Sequence, residues 1–392
     1  MDSLKQQALQ LARRTVKGAV ALALHYSKAQ DALAALQRRA VGGRRVLILS
    51  YHRVVKDFAA EKANGLFTLN ISQHTFRRHL EVLRETHDIV PLDAALDVLE
   101  GRAAAKRDLA VITFDDGYRD VYEYAFPVMR EMRVPAVVYV PSAFIGTTRR
   151  LGHDRLWMAL TRMVDRRIGP MALGVGGEFE RCLAEAFEGG VSAHKALERL
   201  IERNPTPRLL SLCDALEDRL GLTRLKVPEG QLPMSWEQLR EMDRYGIETG
   251  GHTADHTVLT NQPLADARRE IAECKTVIER GLGKAIHHFA YCNGYYSAGV
   301  AQALKAEGFR SAVTTEDMAN VPGVDPFALK RKVLWQNSSV GLLGTYSRAL
   351  TACQLNDTFN LLGIQKAVPG AKPTRFDPAP KDETRMPDSL TG

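Results

Sequence analysis

The chain has 392 residues, 45% of them hydrophobic and 25% charged, enough for a sizeable core and more than an ordinary single domain needs. Its five cysteines, Cys182, Cys213, Cys274, Cys292 and Cys353, form no Cys-x-x-Cys pair, and an odd number argues against a full disulfide framework, so a reducing, cytoplasmic setting fits better. The formal net charge of +7 sits entirely within residues 1–45, which hold nine Lys and Arg against two Asp and Glu, and the neutral remainder gives no reason to invoke nucleic acid.

Leu4 to Ala40 reads as one proline-free helix, with Leu4, Ala8, Leu11, Ala12, Leu22 and Leu24 interspersed among Arg13, Arg14, Lys17, Arg38 and Arg39. Its longest apolar stretch, Ala19 to Leu24, is too short to span a bilayer. No small-residue cleavage site follows His25-Tyr26, so secretion is the less expected outcome. Two uses stay open for this basic segment, residues 1–45: resting on an anionic membrane surface, or capping the domain that follows.

From Val46 onward short apolar stretches alternate with helical ones. Val46 to Ser50, Leu109 to Phe114, Ala136 to Val140, Ile247 to Gly250, Ile286 to Tyr291 and Ser311 to Thr315 predict strands. Tyr118 to Arg133, Leu264 to Leu282 and Ala298 to Glu307, the last closed by Gly308, predict helices. This is the α/β pattern of a parallel sheet with crossover helices, over residues 46–366. Within it, residues 147–232 read as a helical insertion: Asp154 to Arg166, Phe179 to Phe187, Ser192 to Glu202 and Pro207 to Leu220. An insertion of that size at a catalytic mouth shapes access. Trp157 could stack on a sugar ring, although an aromatic on such a helix more often packs in a core. Residues 367–392, rich in Pro, Lys and Asp, read as a disordered tail.

Two motifs carry the chemistry. In Thr113-Phe114-Asp115-Asp116-Gly117 two neighbouring carboxylates follow a strand, and since adjacent strand residues face opposite ways they serve one site only if the backbone turns. Gly117 permits that turn. One Asp could then hold a cation while the other takes a proton from water, although Asp-Asp-Gly alone is also an ordinary turn. In Gly250-Gly251-His252-Thr253-Ala254-Asp255-His256 the two histidines lie four apart, and on a helix they would share a face and one metal. Asp116 would complete three protein ligands and leave a position open. His153-Asp154 stays outside this set, which is already complete.

Together with Phe289-Ala290-Tyr291-Cys292-Asn293-Gly294, these motifs resemble the polysaccharide deacetylases, the NodB-homology enzymes of carbohydrate esterase family 4, over about Val46 to Val333. The resemblance implies an irregular (β/α) barrel of seven strands or so, with its site at the C-terminal ends of the strands. It implies Asp115 as general base, a divalent metal, zinc in first place, on Asp116, His252 and His256, and Thr253 bracing the histidine loop. It also places an oxyanion-binding backbone N–H at Tyr291 or its neighbour, with Asn293 beside it on the substrate side. There are departures: Ala290 stands where many members carry an Arg that orients the base, Cys292 replaces a usual Pro, and the late Leu-x-His motif is not evident. Ser50-Tyr51-His52 instead resembles the subgroup acting on poly-N-acetylglucosamine exopolysaccharides, which makes His52 the candidate acid, although a lone His after a strand is more often structural. Arg331, grouped with the substrate-binding residues, is the candidate replacement partner for Asp115.

The implied activity is removal of N-acetyl groups from amino sugars of a surface glycan or its precursor. The metal would bind the acetamide carbonyl and a water, Asp115 would deprotonate that water, and His52 would protonate the departing amine. Two alternatives are a glycan-binding member that has lost turnover and a hydrolase of a different C–N amide bond.

Overall fold

Every residue of β1 (Val46–Tyr51) and of β5 (Asp108–Phe114) is buried, so both strands need cover on both faces. They pair in parallel from Val46 opposite Leu109 to Tyr51 opposite Phe114. In this computed structural model, described over residues 15–40, 43–61, 65–223, 227–341 and 344–364, β1 and β5 lie in a parallel sheet with β6 (Ala136–Val140), β7 (Ile247–Gly251), β8 (His288–Ala290), β9 (Ser311–Val313) and β10 (Lys332–Val333). Its order is β10-β1-β5-β6-β7-β8-β9. β4 (His87–Ile89) pairs with the start of β5 and gives way to β6 from Ile112 onward. The segment before β10 bridges Val313 through Leu329, and β10 itself pairs with Leu49 and Ser50, so the curled sheet closes on itself. Two short strands, β2 (Arg53–Val55) and β3 (Asn70–Ser72), pair separately.

The strands sort their side chains by parity. Val46, Ile48, Leu109, Val111, Val137, Tyr139, Ala290, Val313 and Leu329 form one cluster, the barrel interior. Their neighbours Leu47, Leu49, Ala110, Ile112, Val138 and Phe289 pack instead with Leu80, Met129, Ile271 and Leu304 of the surrounding helices. Continuing the interior parity along β5 leads through Thr113 to Asp115, and continuing it from Leu329 leads to Arg331.

The expected strands appear with shifted ends: Ile286 to Tyr291 shrinks to His288–Ala290, and Ser311 to Thr315 to Ser311–Val313. Tyr118 to Arg133 is not one regular helix. A π-helical turn, Val121–Ala125, precedes the α-helix Phe126–Met132. Pro127 has no N–H to give to the preceding turn and its ring crowds that turn's carbonyl, which a wider turn relieves. The insertion forms the four expected helices, Gly152–Asp165, Gly177–Ala186, Ala193–Arg203 and Thr206–Leu220, around a core of its own that includes Leu160, Leu183, Leu200 and Leu216.

The N-terminal segment differs from the single helix expected. Residues 15–26 are helical, the chain turns at Lys28 with φ +58°, and a second helix runs from Ala29 to Ala40. Ala21 and Leu24 pack against Ala349, Leu350, Cys353 and Phe359. Residues 4–14, with Arg13 and Arg14, and the tail 367–392 lie outside the described residues. Among the described residues no helix is long and apolar enough to cross a membrane.

Candidate active site

Asp115 donates its N–H to the Tyr51 carbonyl (2.9 Å), extending the β1–β5 ladder by one bond. The turn then begins at Asp116 itself, with φ +72°, and continues through Gly117 at φ +66°. A Cβ on Gly117 would stand 2.8 Å from Val140 Cγ1, so glycine is required for space as well as for conformation. The turn sends the two carboxylates apart: Asp115 into the barrel interior, Asp116 toward the end of β7.

Arg331 meets Asp115 there as a two-pronged fork, Nη1 to Oδ1 and Nη2 to Oδ2 both at 2.7 Å. The guanidinium also donates to Thr113 Oγ1 (3.2 Å) and to the Thr314 carbonyl (2.8 Å), and it is wholly buried. Burial pushes the Asp115 carboxyl up, but Arg331 outweighs it and holds it below the usual carboxylate range. Arg331 therefore faces Asp115 from behind. It does not line the cavity, and its grouping with substrate-binding residues is corrected accordingly.

His252 and His256 converge as expected but not on a helix. They belong to a loop in which Thr253 (φ +64°) and His256 itself (φ +57°) are left-handed. Thr253 Oγ1 accepts the Thr257 N–H (2.8 Å), and Glu270 on the helix Leu264–Leu282 accepts the N–H groups of Ala254 (2.9 Å) and Asp255 (3.1 Å) and the Thr257 hydroxyl (2.9 Å). Side-chain acceptors thus replace the helical hydrogen bonds that the His-x-x-x-His spacing suggested. His252 Nδ1 donates to the Ala290 carbonyl (2.7 Å), which leaves Nε2 with its lone pair toward Asp116. Cys292 Sγ lies 3.9 Å from both ring nitrogens of His252.

Asp116 Oδ1 is 3.0 Å from His256 Nε2 and 3.5 Å from His252 Nε2, yet it is a buried oxygen with no aligned hydrogen bond. Burial raises its carboxyl, but His256 and His252 outweigh that and keep it well below its ordinary value. A carboxylate with two imidazole nitrogens within 3.5 Å of it, and a buried oxygen lacking a donor, supply donors of the kind a hydrolytic divalent-metal site uses, and the residues fit such an ion.

A fourth group stands there that the sequence reading set aside. His153, at the start of the insertion, places Nε2 3.7 Å from Asp116 Oδ2, and its ring centroid is 5.0 Å from that of His256. Tyr118 holds it, with Oη 2.8 Å from His153 Nε2 while donating to Asp154 Oδ2 at 2.8 Å. Thirty-seven residues separate His153 from Asp116 in the chain, so no local spacing announces the contact; only the insertion's return over the barrel creates it.

His52 is half-buried, with Nε2 4.0 Å from Asp115 Oδ2. Burial pulls its imidazole down, only partly opposed by Asp116 and Asp115. Tyr51 before it is locked into the core, its hydroxyl 3.0 Å from His79 Nδ1, so the strand end presents His52 to the cavity. Asn293, left-handed at φ +57°, lines the same cavity. Tyr291 does not. Its side chain falls on the outward parity, donates to the Phe327 carbonyl (2.9 Å) and stacks on Tyr296, and its N–H already serves the Val313 carbonyl (3.2 Å). The expected oxyanion role at Tyr291 is therefore corrected. Trp157 packs edge-on to Phe67 and His194, as a core residue of the insertion.

Comparison with known proteins gives a consistent family. A family model described as polysaccharide deacetylase matches residues 102–169 and 202–312, breaking only within the insertion. YxkH of Bacillus subtilis (strain 168), named as a polysaccharide deacetylase, is 20% identical over 285 residues, 72% of each chain. Among solved structures, the fold is shared with the Streptococcus pyogenes deacetylase PplD in complex with acetate (15% identity, TM-score 0.50, 77% of this chain and 96% of that one). It is also shared with IcaB from Ammonifex degensii (20% identity, TM-score 0.50, 80% and 98%).

Proposed function

We propose that this chain, which belongs to the polysaccharide deacetylase family, is a metal-dependent hydrolase that removes N-acetyl groups from amino sugars of a surface polysaccharide or its precursor. The observation that carries the proposal is the pairing of an Arg331-clamped Asp115 with the Asp116, His252 and His256 cluster, on two sides of one turn. A divalent metal on that cluster, zinc in first place, supplies Lewis acidity toward the amide carbonyl and toward water.

The chain's own residues supply the rest. Asp115 is ionised at neutral pH because Arg331 favours its charged form, so it can accept a proton from water. His52 stands beside it as the donor to the departing amine, which cannot leave as an anion. With the Tyr291 and Gly294 N–H groups engaged, the oxyanion donor falls to Cys292 or Asn293, of which Asn293 faces the cavity. Ala290 and Cys292, the two departures in the third motif, would favour a turnover-deficient binder, but the arginine missing at Ala290 is supplied by Arg331 from elsewhere. The five cysteines, all buried and unpaired, favour a reducing compartment.

The test is acetate release from N-acetylglucosamine oligomers by metal-stripped and zinc-loaded protein. Zinc should restore activity, and Asp115→Asn should lose a hundredfold or more on both amide and activated acetyl ester. His52→Ala should lose a similar factor on the amide but retain much of the ester rate, because an activated ester leaves without a proton. A folded, zinc-loaded protein releasing no acetate from any of these would overturn the proposal.

A further inference from the structure

His153 enters the site from the first turn of the insertion helix Gly152–Asp165, whereas Asp116, His252 and His256 come from the loops that end barrel strands. Its side chain is only 9% exposed and lines the cavity above the Asp115–Asp116 turn. Among the described residues, two groups of three donor atoms lie within 4.8 Å of one another: His252, His256 and Cys292, and Asp116, His153 and His256. The second group contains the carboxylate whose buried Oδ1 lacks a donor.

The distance from His153 Nε2 to Asp116 Oδ2, 3.7 Å, is too long for a hydrogen bond. It suits two ligands of one ion. Donors held at the usual bond lengths of zinc stand about 3.3 Å apart across a tetrahedral edge, and the 3.0 Å and 3.5 Å from Asp116 Oδ1 to His256 and His252 fall on the same scale. Tyr118 orients the ring. Its single hydroxyl hydrogen goes to Asp154, so the hydrogen between Tyr118 Oη and His153 belongs to Nε2, and ligation exchanges that hydrogen for the ion. We propose that His153 is a ligand of the metal beside Asp116 and His256, so that the ion joins the insertion to the barrel. This rests on the metal-dependent deacetylase reading of the same site. The coupling is reciprocal: the factor by which His153 tightens zinc binding is the factor by which zinc favours the docked insertion. Losing a group that supports a metal site costs roughly 10–100-fold in affinity, which sets the scale of that factor.

X-ray absorption at the zinc edge of the zinc-loaded full chain counts its imidazole ligands. His153→Gln keeps the length of the side chain and a hydrogen bond to Tyr118 but carries no imidazole, so it should hold zinc with one imidazole fewer than the parent. The second measurement is tryptic cleavage after Arg149 or Arg150, just before His153 in the chain. Zinc should slow that cleavage by about tenfold or more in the parent and leave it nearly unchanged in His153→Gln. Comparing each protein with and without zinc cancels any destabilisation that the substitution itself brings. An equal imidazole count in the two proteins, or equal protection by zinc, would overturn the proposal and leave the metal-dependent reading standing. A parent chain that binds no zinc would overturn both.

Discussion

Asp115 holds both carboxylate oxygens on one guanidinium, and its acidity is set by a residue more than two hundred positions away. Removing Arg331 leaves burial as the dominant influence, which raises the carboxyl. In Arg331→Met the acid limb of the kcat/KM profile should therefore move toward neutral pH, with activity lost more at pH 6 than at pH 8. Stability follows the same sign. A carboxyl depressed in the folded state stabilises above its unfolded value, near 4, and that contribution disappears as pH falls through the folded value. Breaking the buried pair should cost ~3–5 kcal/mol, read from urea midpoints, whereas Arg331→Lys keeps the charge and loses only the fork. An unmoved acid limb in Arg331→Met would mean that Arg331 does not set the acidity of the group that limits activity. His153 makes the second argument at this scale. Its approach to Asp116 and His256 implies that His153→Ala weakens metal retention by roughly 10–100-fold, measured against a chromophoric chelator. Equal affinity in the variant and the parent would reduce His153 to a packing role.

At the scale of elements, the site depends on a loop whose shape is fixed by side chains. The His252–His256 loop contains two left-handed residues and is held by Thr253 Oγ1 and the Glu270 carboxylate. Thr253→Val keeps the volume but removes the acceptor of a buried N–H, at a cost of ~1–3 kcal/mol. The loss should be larger in melts of zinc-loaded protein than of stripped protein, because the loop also positions both imidazoles. An equal loss in the two states would mean that Thr253 supports the fold and not the metal site.

For the whole molecule, the N-terminal helices act as a cap on the C-terminal ones. Lys17 places Nζ 4.4 Å from the Phe359 ring centroid, and burial lowers its ammonium to about 8, so this lysine faces protein. Arg39 is exposed and remains available to an anionic surface. Deleting residues 1–40 should uncover Phe359, Ala349 and Leu350 and lower the urea midpoint by the equivalent of ~2 kcal/mol or more. The deletion should also abolish any salt-sensitive sedimentation of the full chain with acidic liposomes. An unchanged midpoint would contradict the cap, and salt-insensitive sedimentation would contradict the electrostatic contact.

By itself the sequence determined what depends on neighbours in the chain. The short apolar runs from Val46, Leu109 and Ala136 became buried strands, the helix-rich stretches of the insertion became helices, and Asp-Asp-Gly announced a turn because glycine tolerates a left-handed backbone. The His252–His256 spacing pointed to two rings that the fold does bring together, but for a local reason that does not hold here, since a loop braced by Glu270 does it. Tertiary structure decided everything that needs closure of the barrel or the return of the insertion. Parity turned Tyr291 away from the site and Arg331 toward Asp115, and the fold over the mouth added His153 beside Asp116. Sequence patterns report which face a side chain occupies, but which distant face it meets is fixed only when the sheet curls and buries both.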